Sequence, residues 1–161
     1  MTAPYRFERA WSFPIGRLEM WDLLLDTDAY QGWWGWLRRF DAPRVEEGVQ
    51  ALAVIGPPLP YTLSVRITIQ RLEPGRRIEA VVGGDLGGLA VLELDDSDAR
   101  MPGALGTDAR LSWSLDLRQP ALRVFSRVGR PILEWGHNWV VETGVEQFRR
   151  RALSPTTELR R

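Results

Sequence analysis

The spacing of apolar residues changes period along the chain, and each change marks a predicted element. Tyr5, Phe7, Trp11 and Phe13 are separated mostly by polar residues, the alternation of a strand with one buried face. Pro14 and Gly16 break it. From there Ile15, Leu18, Trp21, Leu24 and Leu25 fall at helical spacing with Glu19 and Asp22 on the other side, which predicts a short amphipathic helix. Asp26-Thr27-Asp28 ends that helix, and Asp28 is a candidate N-cap for a second helical turn through Tyr30 and Trp33.

Beyond Pro43 the pattern is strand after strand. Residues 49–55 are apolar apart from Gln50 and stop at Gly56-Pro57-Pro58, because proline cannot donate to a ladder. Over 61–72, Leu63, Val65, Ile67 and Ile69 alternate with Ser64, Arg66, Thr68 and Gln70. Glu73-Pro74-Gly75-Arg76 carries proline then glycine at its centre, the signature of a type II turn. Ile78, Ala80 and Val82 continue the inward face, 83–88 is a glycine-rich turn, and 89–94 is another strand. After a polar stretch at 95–108, read as a mobile hairpin, Ala109, Leu111, Trp113, Leu115 and Leu117 alternate once more. Consecutive strands on short turns predict an antiparallel meander of about six strands. From Pro131 to about Ala152 the period is helical again, with Leu133, Gly136, His137, Val140, Val141, Gly144 and Phe148 on one broad side. The run Arg149-Arg150-Arg151 suits the negative end of that helix.

Composition narrows the chemistry. The chain has 161 residues, enough for one domain, which we place at 1–153 with a flexible tail at 154–161. Its 21 basic residues, all arginine, balance 21 acidic ones, and zero net charge argues against a nucleic-acid partner. Lacking lysine, it excludes Schiff-base chemistry and a P-loop; lacking cysteine, it excludes disulfides, thiolate nucleophiles and thiolate metal sites. His137 is the single histidine, so no multi-histidine metal site forms within one chain, and neither a metal nor a cofactor is expected. Asp95, Asp96 and Asp98 fail the calcium-loop pattern, since Arg100 and Met101 follow. Without a leader pattern or an apolar run long enough to span a bilayer, the expectation is a soluble cytoplasmic protein with no stable membrane insertion, as monomer or homodimer.

The order of elements resembles the START-related, Bet v 1-like helix-grip fold, and within it the polyketide cyclase/dehydrase and lipid-transport family. The likeness, over about residues 5–152, is carried by the run 17–26, Asp28-Ala29-Tyr30, Trp33-Trp34, the turn 84–88, Trp113, the run 136–141 and Gly144. It implies an α+β fold: a curved antiparallel sheet of about seven strands, two short helices, and a long C-terminal helix across the sheet. A straight helix leaves a bent sheet along part of its length, and the fold binds hydrophobic ligands in that gap.

The inward positions give the expected lining. From the sheet these are Leu63, Val65, Ile67, Ile78, Ala80 and Val82, with Leu92 and Trp113; from the helix, Leu133, His137, Val140, Val141 and Phe148. In a meander, connections alternate between ends, so the loops at 56–60, 83–87 and 119–122 share one end with Trp33, Trp34, Trp36 and Phe40. We place the entrance there, with Asp85 in its glycine-rich turn. Three indoles within four residues cannot all point inward from one short helix, so one is expected at the entrance or surface. Arg38, Arg39 and Arg44 read as solvated, though one at the mouth could hold a ligand carboxylate. The first functional reading is a protein binding a small lipid-like, polyketide-like or aromatic molecule. The alternatives are a polyketide cyclase/dehydratase with His137 as acid or base, and a chaperone-activating interaction domain without ligand.

Overall fold

The computed structural model describes residues 5–42, 44–57, 62–97, 106–117 and 137–151. The elements run β1 (Tyr5–Phe13), α1 (Arg17–Leu25), a 3-10 turn (Thr27–Ala29), α2 (Tyr30–Trp33) and β2 (Leu37–Asp41). Then come β3 (Gln50–Ile55), β4 (Leu63–Glu73), β5 (Arg77–Gly84), β6 (Leu86–Asp96) and β7 (Thr107–Leu117). A C-terminal helix, α3, is described over residues 137–151. The predicted start of that helix at Pro131, the tip of the 95–108 hairpin and the tail at 154–161 lie outside the described residues.

The strands form one seven-stranded antiparallel sheet in the order β1-β7-β6-β5-β4-β3-β2. The meander therefore runs from β2 to β7, and β1 joins its last strand, with Phe7 opposite Trp113 and Phe13 opposite Thr107. Because side chains alternate along a strand, the register defines the inner face. Phe7, Trp113, Ala90 and Ala80 form one cross-sheet row; Val82, Ile67 and Ala51 form another. The turn at Glu73–Arg76 is built as expected: Gly75 has φ of +73°, and Arg76 N–H donates to the Glu73 carbonyl at 2.9 Å.

Helix α3 lies along the inner face beside β1. His137 meets the Phe7 ring at 4.6 Å, and Phe148 meets Phe13 at 5.5 Å. Eleven helical residues advance about 17 Å while six strand residues advance about 20 Å, so helix and strand keep step. The end of α3 is held by its arginines rather than by its dipole alone. Arg149 donates to the Ser12 carbonyl at 2.9 Å and covers the Phe13 ring, while Arg151 donates to the carbonyls of Gly32 and Trp33 at 2.9 and 3.0 Å.

Two buried clusters result. Phe13, Met20, Trp21, Trp33, Leu94, Ala109 and Phe148 pack where α1, α2 and the end of α3 meet β1, β6 and β7. Leu37, Ala53, Val65 and Val82 pack on the β2–β5 half of the sheet. Buried Thr107 ties β7 to the entry of α1 by donating to the Ile15 carbonyl at 2.8 Å.

Several local expectations change. Leu18 is 67% exposed, and Met20 and Trp21 take the buried positions of α1, because the helix rests on that side. Asp28 sits within the 3-10 turn, and the N-cap of α2 is Ala29, with no side-chain cap. Strand β2 was not expected from the sequence. Its register shifts between Leu37 and Arg39, so its inward residues Leu37 and Phe40 stand three apart and do not alternate.

Candidate functional site

A cavity of about 280 Å³ lies between the aromatic segment and the β2–β5 part of the inner face. Its floor is made of short or branched aliphatic residues: Ala51, Ala53 and Ile55 on β3, Ile67 and Ile69 on β4, and Ile78 on β5. In β3 the small residues of Ala51-Leu52-Ala53 face inward and Leu52 faces outward, 44% exposed, and this leaves the volume unfilled. Tyr30, Trp34, Trp36 and Phe40 form the wall. Thr27, Ala42 and Arg44 carry the rim.

The wall is a set of touching rings. Tyr30 lies 5.0 Å from Trp34 and 5.1 Å from Phe40, and Trp34 stacks on Trp36 at 5.6 Å and 25°. Its polar atoms are mostly engaged inside the protein. Tyr30 O–H donates to the Leu24 carbonyl; burial, with the charge of Asp26 adding to it, drives the phenol well above its ordinary pKa, so it remains a donor. Trp34 Nε1–H donates to the Gly144 carbonyl of α3 at 2.8 Å. Gly144 permits this approach: a Cβ there would stand 3.2 Å from Trp36 Cζ2. Trp36 Nε1 is also buried, yet has no hydrogen-bond partner among the described residues. Leaving a buried donor unpaired costs about 1–3 kcal/mol.

Of the residues predicted to line a site, Trp34, Trp36, Phe40, Ile67 and Ile78 meet at this cavity. Val65 and Val82 are buried in the adjacent cluster, with Leu63 half-buried at the end of β4 opposite Ile55. Trp33 and Phe148 are core, their rings 5.3 Å apart. Ala80 and Val141 are buried, while Val140 and Leu92 are half-buried, and none of these four is among the described residues lining the cavity. Leu133 lies outside the described residues. Of the three clustered indoles, Trp33 is buried, while Trp34 and Trp36 are partly exposed and line the cavity. They do not share one helix: α2 ends at Trp33 and Trp34 is extended.

Asp85 sits elsewhere. Its backbone N–H donates to the Ser64 carbonyl at 3.0 Å, and its carboxylate accepts from Ser64 N–H at 2.8 Å. It borders a depression of about 380 Å³ on the outer face, beside Leu52, Val54 and Arg66. Although larger, that depression is floored by outward-facing side chains, and the smaller cavity is the one enclosed by rings. The described lining reaches both ends of the sheet: Thr27, Ala42 and Arg44 lie at the end carrying the β2–β3 connection, and Trp36 and Ile55 at the end of the loops at 56–60 and 83–87. Residues 58–61 lie outside the described residues.

His137 packs edge-on to Trp113 at 4.7 Å and to Phe7 at 4.6 Å, and is not among the described cavity-lining residues. Burial, opposed by a hydrogen bond with Asn138 and reinforced by the charge of Arg9, lowers its pKa to about 4. It is thus a neutral imidazole near pH 7 and a weak base, a poor match for general acid–base work at that pH. Among the described residues no cluster of acids and histidine could hold a metal ion, and no helix is long and apolar enough to cross a membrane.

Tyr30, Ala51, Ala53, Ile55 and Ile69 also line the cavity without having been singled out as site residues, and Arg44 is the one of the three arginines considered for the mouth that borders it. The i, i+4 spacing of Tyr30 and Trp34 was the available signal for the first.

Solved structures share this arrangement at low identity. A protein from Thermus thermophilus matches with a TM-score of 0.71 at 12% identity, over 95% of this chain and 100% of its own. An aromatase/cyclase from Streptomyces sp. R1128 matches at 0.68 and 13%, over 95% and 99%. A START superfamily protein from Mycobacterium smegmatis matches at 0.66 and 10%, over 91% and 95%. No family model and no curated protein matches the sequence. Identities this low carry the fold and not the activity. With its sheet order, two short helices and C-terminal helix across the inner face, the chain has the helix-grip fold of the START-related, Bet v 1-like superfamily.

Proposed function

We propose that this protein binds a compact hydrophobic molecule in the cavity between its aromatic segment and the β3–β5 face. The observation that carries the reading is an apolar volume of about 280 Å³ walled by Tyr30, Trp34, Trp36 and Phe40. Such a volume lies just below the roughly 300–1,000 Å³ of ordinary small-molecule sites, which suits two or three fused rings or a short acyl chain and not a two-chain lipid. Stacked indoles favour a flat occupant. The zero net charge supports a small molecule over a polyanion.

Catalysis through His137 is the weaker reading. The imidazole stands away from the described cavity lining, and its low pKa leaves little basicity for proton transfer. Native mass spectrometry of the purified protein, followed by equilibrium dialysis against two- and three-ring aromatics, tests binding. A retained small-molecule mass or micromolar uptake supports it; neither, from folded protein, refutes it.

A further inference from the structure

We propose that this cavity recognises its ligand by shape and stacking alone and takes a flat fused-ring hydrocarbon, rejecting molecules that would carry an oxygen into its interior. The inference rests on the binding reading above and names the class of ligand. Three side chains in the aromatic wall can donate a hydrogen bond, namely Tyr30, Trp34 and Trp36, and each donor is directed elsewhere. Tyr30 O–H is bonded to the Leu24 carbonyl and Trp34 N–H to the Gly144 carbonyl, and neither acceptor residue is among the described lining. Trp36 N–H is buried on the indole edge that packs against Gly144 of α3, where Cζ2 stands 3.2 Å from the place of a Cβ, so it does not meet an occupant.

The described floor is equally without partners. Ala51, Ala53, Ile55, Ile67, Ile69 and Ile78 have no polar side-chain atom, and β3, β4 and β5 are each paired to a strand on both sides. A ligand oxygen placed among these groups gives up its bonds to water and makes none in return, which lowers affinity by about ten- to a hundred-fold. A hydrocarbon has no such bonds to lose and lies against the stacked rings of Trp34 and Trp36. Polar groups reappear only at the described rim, where Thr27 Oγ1 lies 3.5 Å from the Ala42 carbonyl oxygen and Arg44 bridges to Glu46 at 3.4 Å. An oxygen is therefore tolerated at that end of the molecule and not deeper. A poly-β-ketone, with a carbonyl at every second carbon, cannot keep all its oxygens there.

Naphthalene and 2,6-dihydroxynaphthalene share one ring skeleton, and the two hydroxyls stand at opposite ends, so one is held inside whichever end meets the rim. Equilibrium dialysis of the wild-type protein gives the affinity ratio of the pair, and octanol–water partition gives the reference, because octanol can pair hydroxyl groups. The protein should prefer naphthalene by about ten-fold or more beyond the octanol ratio. Naphthalene should also shift the ring resonances of Tyr30 and Phe40, which places it in the cavity without recourse to a variant. With those shifts present, a smaller excess over octanol means that the interior supplies a partner, and it overturns the proposal while leaving the cavity reading intact. If folded wild-type protein takes up no naphthalene, or takes it up with the Tyr30 and Phe40 resonances unmoved, both are overturned.

Discussion

The contact between Gly144 and the paired indoles decides whether α3 and the cavity wall act as one unit, and it can be perturbed in graded steps. Adding a Cβ at Gly144 places it 3.2 Å from Trp36 Cζ2 and 3.7 Å from Trp34 Nε1, so the rings must yield by a few tenths of an ångström. Against this, replacing a mid-helix glycine by alanine gains about 1 kcal/mol in helix propensity. Gly144→Ala should therefore lie within about 1 kcal/mol of the wild type. Gly144→Val keeps the Cβ and adds two methyl groups with nowhere to go. Overpacking of this kind costs about 1–3 kcal/mol, and losing the Trp34 bond to the Gly144 carbonyl adds about 0.5–1.5 kcal/mol. The valine variant should thus be less stable than the alanine variant by about 2–4 kcal/mol. At a urea slope of about 2 kcal/mol per molar, its midpoint falls by roughly 1–2 M. Urea unfolding followed by tryptophan fluorescence reads this directly. If both variants unfold within about 0.3 M of each other, α3 does not rest on the indoles and the reasoning about the wall fails.

The other expectations probe separate parts of the fold. His137 has a folded pKa of about 4, below its unfolded value, so folding favours the neutral ring; its contribution is intact above about pH 6.5 and is lost as pH falls toward 4. Allowing for partial solvent screening, the wild type should lose about 1–2 kcal/mol more than His137→Phe between pH 7.5 and 4.5; equal losses in paired urea titrations refute the assignment. Gly84 has φ of +92°, and a Cβ there would meet the Ser64 carbonyl oxygen at 2.6 Å, whereas Gly83 has nothing within 4 Å. Gly84→Ala should cost about 2–3 kcal/mol, or roughly 5–10 °C in Tm, while Gly83→Ala should cost little; matching melting curves would contradict the turn geometry. Arg151→Ala removes both bonds to the carbonyls of Gly32 and Trp33, which should cost about 1 kcal/mol and speed amide exchange around α2. Unchanged exchange there would mean that the clamp is not made in solution.

What the sequence made legible follows from which signals are local. Alternation at Leu63, Val65, Ile67 and Ile69, and at Ala109, Leu111 and Trp113, is written within single strands, so β4 and β7 could be read without knowing their partners. Strand β2 could not, because its register shift hides the period, and the strand is recognisable only once β3 is beside it. The cavity was legible as an expectation of the fold, but its place was not. In the run Ala51-Leu52-Ala53-Val54-Ile55 every residue is apolar, so the sequence alone leaves open whether the alanines or Leu52 and Val54 face inward. Tyr30 was passed over because its role depends on a carbonyl six residues earlier in the turn between helices. Asp85 was misplaced for the same kind of reason: a turn residue's face is set by the backbone it pairs with, here Ser64, and not by the glycines around it.

The division of the inner face into a packed part and an open part has a direct consequence for how a ligand would be felt. Where Phe13, Leu94 and Phe148 fill the face, α1 and α3 press onto the sheet, and the arginines at the end of α3 fix it there. Where Ala51 and Ala53 replace large residues, the wall is supplied by the segment from Tyr30 to Phe40, which α3 holds at Gly32 and Trp33 through Arg151, at Trp33 through Phe148, and at Trp34 and Trp36 through Gly144. That segment holds the cavity's aromatic rings and strand β2 at the edge of the sheet. An occupant therefore bears on one stretch of chain that ends in the edge strand of the sheet, and hydrogen exchange in 30–41 should slow on binding while exchange in β6 and β7 stays the same.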